Sequence, residues 1–419
     1  MPSRRDLLRL LPLPVLLPLL SPRVGRAAIT PESRKFLFVF CHGGWDPTYC
    51  FAPIYGSDAV DMESDSELAT VGGLQFVDHG DRPTVRSFFE RFHDRTCILN
   101  GFEVPSITHD RCMRLLMTGR STDGTDDWGS ILAGNALTDL PLPYLVMSGP
   151  SYTAQYTSSV VRVGSTGQLA QLLDGRSITT ASMPVMLPPD FVSERVDAFV
   201  RERVSAWQAA ARSVRQARVA ERYGASLDKI QVASGYASSF ASVSSGDARW
   251  GAFQTAVSSL AAGLSRCAVV EYDGLWSQTF DTHANNALQS GHFEELFQFL
   301  EDLVDLMDRT PGVSGATLSD EVTIVVCSEM ARGPKLNSWM GKDHYTITSA
   351  MFVGGGVKGD RVVGAFDANM LGKPVDLASG ELDDGGTALV AAHFGATLLA
   401  AGDVDPVEHI GAEPIEGIF

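Results

Sequence analysis

Val322-Thr323-Ile324-Val325-Val326-Cys327, followed at once by Ser328-Glu329-Met330-Ala331-Arg332-Gly333, is the stretch that decides the fold. The first six residues are β-branched and apolar, show no polar alternation, and are too few for a helix. They read as a strand buried on both faces, the kind that sits inside a parallel sheet covered by helices. The change to Glu329 and Arg332 comes at the strand's carboxyl end, with Asn337 and Asp343-His344 soon after. In open α/β sheets, ligands bind outside the carboxyl ends of the strands.

Two more stretches share this layout. Lys35 to Cys41 is an apolar run ending in His42-Gly43-Gly44-Trp45-Asp46. Cys267 to Tyr272 is another, followed by Asp273, Gly274, Trp276 and Phe280-Asp281-Thr282-His283. Three buried strands that each deliver acids and histidines point to a metal site built from strand-end loops. Asp281, His283 and His344, with Asp343 beside them, make a zinc-like set of imidazoles and carboxylates; calcium, magnesium and manganese are the alternatives. Asp46 and Glu329 form a second set that could hold a second ion with a hydroxyl.

That hydroxyl is Thr108, at a predicted helix start, with Ser106 as the alternative. A helix N-terminus favours an alkoxide or a transferred anion, and a nearby metal would activate the hydroxyl. His109 is a candidate ligand or acid/base group, and Arg332 and Asn337 are candidates to steady an anionic substrate. Each has a plainer reading. Thr108 is an ordinary N-cap, His109 a buried hydrogen-bonded histidine, and Arg332 a salt-bridge partner. Trp45, Trp276 and Trp339 would wall the site or simply pack the core. His79, His93, His292, His393 and His409 lack the strand-end context and read as structural.

The 419 residues carry a formal charge of −17. Arg4-Arg5 within Ser3–Arg9, an apolar run from Leu10 to Leu20 and Arg26-Ala27-Ala28 read as a twin-arginine export signal over 1–28, and so as a periplasmic or secreted protein. Pro12, Pro14 and Pro18 argue against a stable membrane span there. Removing 1–28 deletes five arginines and one aspartate, leaving a chain near −21. Such acidity disfavours nucleic acid or an anionic membrane as a general partner. An anionic ester, small or polymeric, would need local positive charge from metal, Arg332, Lys335 or Lys342. Protein partners stay open. Cys41, Cys267 and Cys327 fall at ends of core strands, where a buried thiol is expected; Cys50 could pair with Cys97 or Cys112.

Elsewhere, helices are expected over 84–93, from Thr108 to Gly119, over 128–137, over 190–223 as one long helix, over 253–266, 291–309 and within 384–401. Strands are expected at 96–100 and 143–148, and 348–353 with 361–366 look like a hairpin pair. Residues 150–250 read as a helical insertion in one domain covering 29–419.

Gly43-Gly44-Trp45-Asp46, Thr108-His109, Phe280-Asp281-Thr282-His283, Ser328-Glu329 with Arg332, Asn337 and Gly341-Lys342-Asp343-His344 together resemble an exported bacterial family, domain of unknown function 1501, related to the alkaline phosphatase/sulfatase superfamily. The resemblance runs from about Lys35 to the C-terminus. It implies an α/β fold like that of alkaline phosphatase, with a central, largely parallel sheet and helices on both faces. It also implies metal-dependent hydrolysis of phosphate or sulfate esters. One ion would sit on Asp281, His283 and His344, the other on Asp46, Thr108 and Glu329. The chain departs from the pattern at Thr108, where the family commonly has Ser, and at Phe280, where it has Trp. Ser328-Glu329 stands where the superfamily has Asp-His, which removes one imidazole and leaves two ions, one or none as the alternatives. A non-catalytic exported binding or assembly protein that keeps the fold is the alternative.

Overall fold

The computed structural model describes residues 30–163, 168–174, 188–241, 247–314 and 316–419; the expected export signal lies outside them. The chain begins with β1 (Lys35–Cys41), β2 (Glu67–Val71), β3 (Leu74–Asp78), α1 (Pro83–Phe92), β4 (Thr96–Glu103), α2 (His109–Thr118) and α3 (Trp128–Gly134). Next come β5 (Tyr144–Val146), β6 (Val160–Arg162), α4 (Gln168–Leu173), α5 (Asp190–Ala209), α6 (Val214–Ser234), α7 (Ala237–Ala241), α8 (Ala248–Ala261), β7 (Cys267–Tyr272) and α9 (Leu288–Arg309). It ends with α10 (Leu318–Glu321), β8 (Val322–Cys327), β9 (Ala331–Leu336), β10 (Lys342–Tyr345), β11 (Ile347–Gly354), β12 (Arg361–Val363), α11 (Ala391–Ala401) and α12 (Pro406–His409).

The main sheet has the order β12-β4-β11-β8-β1-β7-β5-β6. Strand β1 runs parallel to both β7 and β8, and only β11 is antiparallel to its neighbours β8 and β4. The fold is therefore α/β, with a largely parallel central sheet, as the buried strands implied. Alternation along β1 makes the two-sided burial concrete. Leu37, Val39 and Cys41 enter one apolar cluster with Val85, Phe88 and Phe89 of α1 and Phe293, Leu296 and Phe297 of α9. Phe36, Phe38 and Phe40 enter the other with Leu116 of α2, Trp128 of α3 and Phe394 of α11. Each fully buried side chain of this size stabilises the fold by about 1.5–3 kcal/mol. Helix α9 follows β7 and leads through α10 to β8, so this strand–helix–strand connection passes across β1.

Several expectations change. Strands β11 and β12 do not pair with each other, because β4 lies between them and bonds to both. The long helix over 190–223 is two helices: Ser213 accepts from the Gln216 N–H and caps a new start, α6. The stretch 67–78 forms an unforeseen hairpin of β2 and β3. All six cysteines are buried and free, so Cys50 is in no disulfide. Burial pushes the Cys97 and Cys267 thiols up to about 12. No described helix is long and apolar enough to cross a membrane.

His292, near the start of α9, supports the loop that precedes Asp281. Its Nδ1 accepts from the Leu275 N–H at 3.0 Å, so the neutral ring carries its proton on Nε2. Burial holds its pKa down to about 4 against the pull of Glu295. A base with a depressed folded pKa gives stability that is complete above about 6.5 and is lost as pH falls toward 4. Between pH 7 and pH 5 this group should cost on the order of 2 kcal/mol of unfolding free energy. His292→Gln should remove that part of the pH slope in urea titrations; an unchanged slope would show that His292 does not titrate in this way.

Candidate metal centre

The carboxyl ends of β1, β7 and β8 lie side by side, and their registers decide which side chains meet. Phe40 pairs with Cys327, so two residues further on His42 comes level with Glu329. Phe40 also pairs with Glu271. The turn after β1 is built for close approach. Gly43 has a φ of +113°, and a Cβ there would lie 2.5 Å from the Asp281 backbone nitrogen. Gly43 N–H donates to Glu329 Oε1 at 2.9 Å and Ser328 Oγ donates to Oε2 at 3.2 Å, fixing a fully buried carboxylate.

Two groups of donors result among the described residues, and His109 stands between them. His42, His109 and Glu329 form one trio; His109, Asp281 and His344 form the other, with the ligand atoms of each within 4.8 Å of one another. His42 is held by Glu271 through Nδ1 at 3.1 Å, which leaves Nε2 facing Glu329 Oε1 at 3.9 Å. His109 Nδ1 lies 2.7 Å from Glu329 Oε1 and its Nε2 lies 3.5 Å from Asp281 Oδ2. His344 donates through Nδ1 to the Ile107 carbonyl at 2.6 Å. A carbonyl only accepts, so that bond fixes the tautomer and turns the Nε2 lone pair inward. Its Nε2 lies 2.9 Å from His283 Nε2 and 3.7 Å from Asp281 Oδ1, and His283 Nε2 lies 3.2 Å from the same oxygen.

Arg332 organises this edge. It is fully buried, donates to the carbonyls of Gly43, Gly44 and Lys342, and reaches Asp281 Oδ1 at 2.6 Å. Burial alone would raise the Asp281 carboxyl, yet His109 and Arg332 hold it well below the usual carboxylate range. Hydrogen bonds to Asp281 and then Glu329 lift His109 to about 9, against the effect of burial. Glu271 raises His42, while burial lowers His344.

The donor chemistry fits a divalent cation. Zinc ligands at 2.0–2.1 Å in a tetrahedron stand about 3.3 Å apart. The Asp281, His283 and His344 separations of 3.2, 2.9 and 3.7 Å bracket that value. Zinc is not singled out by this spacing.

The remaining expected residues lie elsewhere. Asp46 joins neither trio. Its buried carboxylate accepts from Lys342 Nζ at 2.8 Å, Asn286 Nδ2 at 2.7 Å and the Thr48 hydroxyl at 2.7 Å. It therefore ties the first loop to the strand carrying His344 and to the loop after His283. Asp343 is largely exposed, 3.6 Å from His283 Nδ1 and 3.2 Å from Asn337 Nδ2, on the outer side of that imidazole. Asn337 also donates to the His283 carbonyl, so its role here is to hold the loop. Thr108 is exposed at the N-cap of α2, but its hydroxyl makes no cap bond and stands 3.4 Å from Ser106 Oγ. Trp45 is core, whereas Trp276 and Trp339 are 74% and 73% exposed.

His42 and Glu271 were not picked out. The signal was available: His42 directly follows a buried strand, and Glu271 is the one acid inside another.

Residues 33–377 match the model of a family described as protein of unknown function, DUF1501. No curated protein matches the chain. Among solved structures, Ps i-CgsB in complex with k-i-k-neocarrahexaose is 10% identical, covering 91% of this chain and 74% of that one, with a TM-score of 0.37. BT4656 in complex with its substrate D-glucosamine-2-N,6-O-disulfate is 10% identical, covering 91% and 81%, with a TM-score of 0.29. Likenesses this slight carry no argument about activity.

Lys342→Met would strand the buried Asp46 charge and should lower unfolding free energy by about 3–5 kcal/mol. Asp46→Asn combined with Lys342→Met should cost less than the two single losses added together, because the partners are coupled. Additive losses in urea titrations would show that the two groups do not act as a pair.

Proposed function

The chain belongs to the DUF1501 family, and we propose that it is a metal-dependent hydrolase of phosphate or sulfate esters built on an alkaline phosphatase-like fold. The observation that carries this reading is the convergence of His42, His109 and Glu329, and of His109, Asp281 and His344, at one edge of a largely parallel sheet. Asp281, His283 and His344 would hold one divalent ion. His42 and Glu329 would supply donors for a second, with His42 in place of the imidazole that the Ser328-Glu329 pair lacks. Bound there, a divalent cation supplies charge stabilisation for an anionic transition state.

The chain's own residues do the rest. Glu271 holds the His42 ring and the Ile107 carbonyl holds the His344 ring, so two imidazoles are oriented before any ligand arrives. Thr108 is the proposed nucleophile. It precedes His109 at the N-terminus of α2, and its hydroxyl is not spent on capping. Its Oγ would bond to phosphorus or sulfur as the bond to the leaving alkoxide breaks. The hydroxyl proton would pass to solvent, the alkoxide would take one up, and water would then release the Thr108 ester.

One observation favours the alternative, an exported binding or assembly protein without catalysis. Arg332 already occupies Asp281 Oδ1, so the charge of that carboxylate is balanced without a metal.

The two readings separate on a panel of phosphate and sulfate monoesters assayed with metal-loaded protein. Thr108→Ala should cut turnover by roughly 10³-fold or more while Thr108→Ser keeps much of it. Wild-type levels in Thr108→Ala would exclude Thr108 as nucleophile, and no turnover of any ester would favour the binding protein. Separately, Glu271→Gln should weaken metal affinity about 10–100-fold, measured by chelator competition; unchanged affinity would remove His42 from the ligand set.

A further inference from the structure

Two tryptophans stand in water on the segments that carry the candidate site. Trp45 and Trp128 show what this fold does with an indole it needs for packing. Both are buried, and their Nε1 groups donate to Thr348 Oγ1 and to the Leu116 carbonyl. Trp276 lies instead on the connection between β7 and α9 that also carries Asp281 and His283, and it is 74% exposed. Trp339 lies at the tip of the β9–β10 hairpin, whose second strand carries His344, and it is 73% exposed. Each therefore offers most of a large apolar ring to solvent.

The backbone at both places is held by hydrogen bonds. Asn337 Oδ1 accepts from the N–H groups of Trp339 and Gly341 at 2.9 and 3.1 Å, and its Nδ2 donates to the His283 carbonyl at 3.0 Å. The Trp339 and Met340 carbonyls accept from the N–H groups of Asn285 and Asn286 at 3.2 and 2.7 Å. The hairpin tip is thus docked on the segment that follows His283. A Cβ on Gly341 would lie 2.0 Å from the His283 carbonyl oxygen. Trp276 and Ser277 are consecutive left-handed residues, with φ of +55° and +57°. Bulky side chains seldom adopt that region, and it is visited as single residues rather than runs. Arg249 Nη1 donates to the Gly274 carbonyl at 3.0 Å and His292 accepts from the Leu275 N–H, so the turn is imposed from outside. Strain imposed in this way clusters at ligand sites. Rings mounted on a fixed backbone also lose little freedom when a ligand covers them.

The ligand that fits them offers C–H faces and polar groups together. An indole face carries partial negative charge and favours partially positive C–H groups. Beside the hairpin tip, Ser338 is exposed, and the largely exposed Asp343 carboxylate stands 3.2 Å from Asn337 Nδ2. A pyranose ring has a C–H face for the indole and hydroxyls for the carboxylate. A lipid tail has no hydroxyl, and an anionic bilayer would meet Asp343 and the formal charge of −17 with repulsion. Two platforms on separate segments suit a ligand of more than one ring. We propose that Trp276 and Trp339 are stacking platforms for saccharide units, which makes the alcohol of the ester a sugar of an oligo- or polysaccharide. This names the substrate class of the site proposed above and so rests on that reading, but binding is measured apart from cleavage.

Isothermal titration calorimetry of the purified, metal-loaded full chain tests it, with short oligosaccharides prepared from chondroitin sulfate, dextran sulfate and phosphomannan. At least one should bind the wild type. Trp339→Ala and Trp276→Asn should each weaken that binding about tenfold, with unchanged far-UV circular dichroism spectra. Asparagine is chosen because it tolerates the left-handed region. Trp339→Phe, which keeps a ring face, should lose less than Trp339→Ala. A wild type that binds none of the oligosaccharides would overturn the proposal, and so would full affinity in the Trp276→Asn/Trp339→Ala double variant. Phosphatidylcholine vesicles that bind the wild type in place of the saccharides, and not the double variant, would overturn it in favour of a lipid. Turnover of p-nitrophenyl phosphate or sulfate without saccharide binding would overturn the platforms and leave the hydrolase reading standing. Saccharide binding that the double variant loses, with no ester turned over, would uphold the platforms and overturn the hydrolase reading.

Discussion

A single buried guanidinium holds the edge of the candidate site together. Arg332 has no exposed surface, and its donors go to the carbonyls of Gly43, Gly44 and Lys342 and to the Asp281 carboxylate. Those four partners come from the loop after β1, the loop after β7 and the strand that carries His344. Burying a charge costs several kcal/mol unless its donors are matched, and breaking such a match costs about 3–5 kcal/mol. The three loops are therefore held in one arrangement. The second buried pair, Asp46 with Lys342, joins the same loops from another side through Asn286 and Thr48. Histidines that need fixed orientation are thereby mounted on loops that the fold does not let move independently.

The sheet's centre was legible because two-sided burial leaves a plain trace: short β-branched runs with chemistry at one end. That His109, Asp281, Glu329 and His344 would come near one another was legible for the same reason, since parallel strands put their carboxyl ends on one edge. What the residues could not reveal was direction. His42 and Asp46 lie four residues apart in one loop, and only the strand register shows that the histidine faces Glu329 while the aspartate turns to Lys342. Pairing across long separations was hidden too. Strands β11 and β12 are neighbours in sequence, but the strand between them, β4, is more than two hundred residues earlier. Thr108 was placed correctly at a helix start, yet its hydroxyl leaves the cap bond unmade.

Balanced charge links the two functional readings. Arg332 lies 2.6 Å from Asp281 and His109 lies 2.7 Å from Glu329, so each carboxylate already has a nitrogen partner within the protein. Such a site can receive a metal without being organised by it. Membership of the DUF1501 family makes these residues a concrete starting point for its chemistry.

Elemental mass spectrometry of the purified protein and of Asp281→Ala/His283→Ala tests the central claim most directly. The account predicts about one to two equivalents of divalent metal in the wild type, with loss of at least the ion held by Asp281, His283 and His344 in the double variant. No metal in either protein, even after reconstitution, would contradict it.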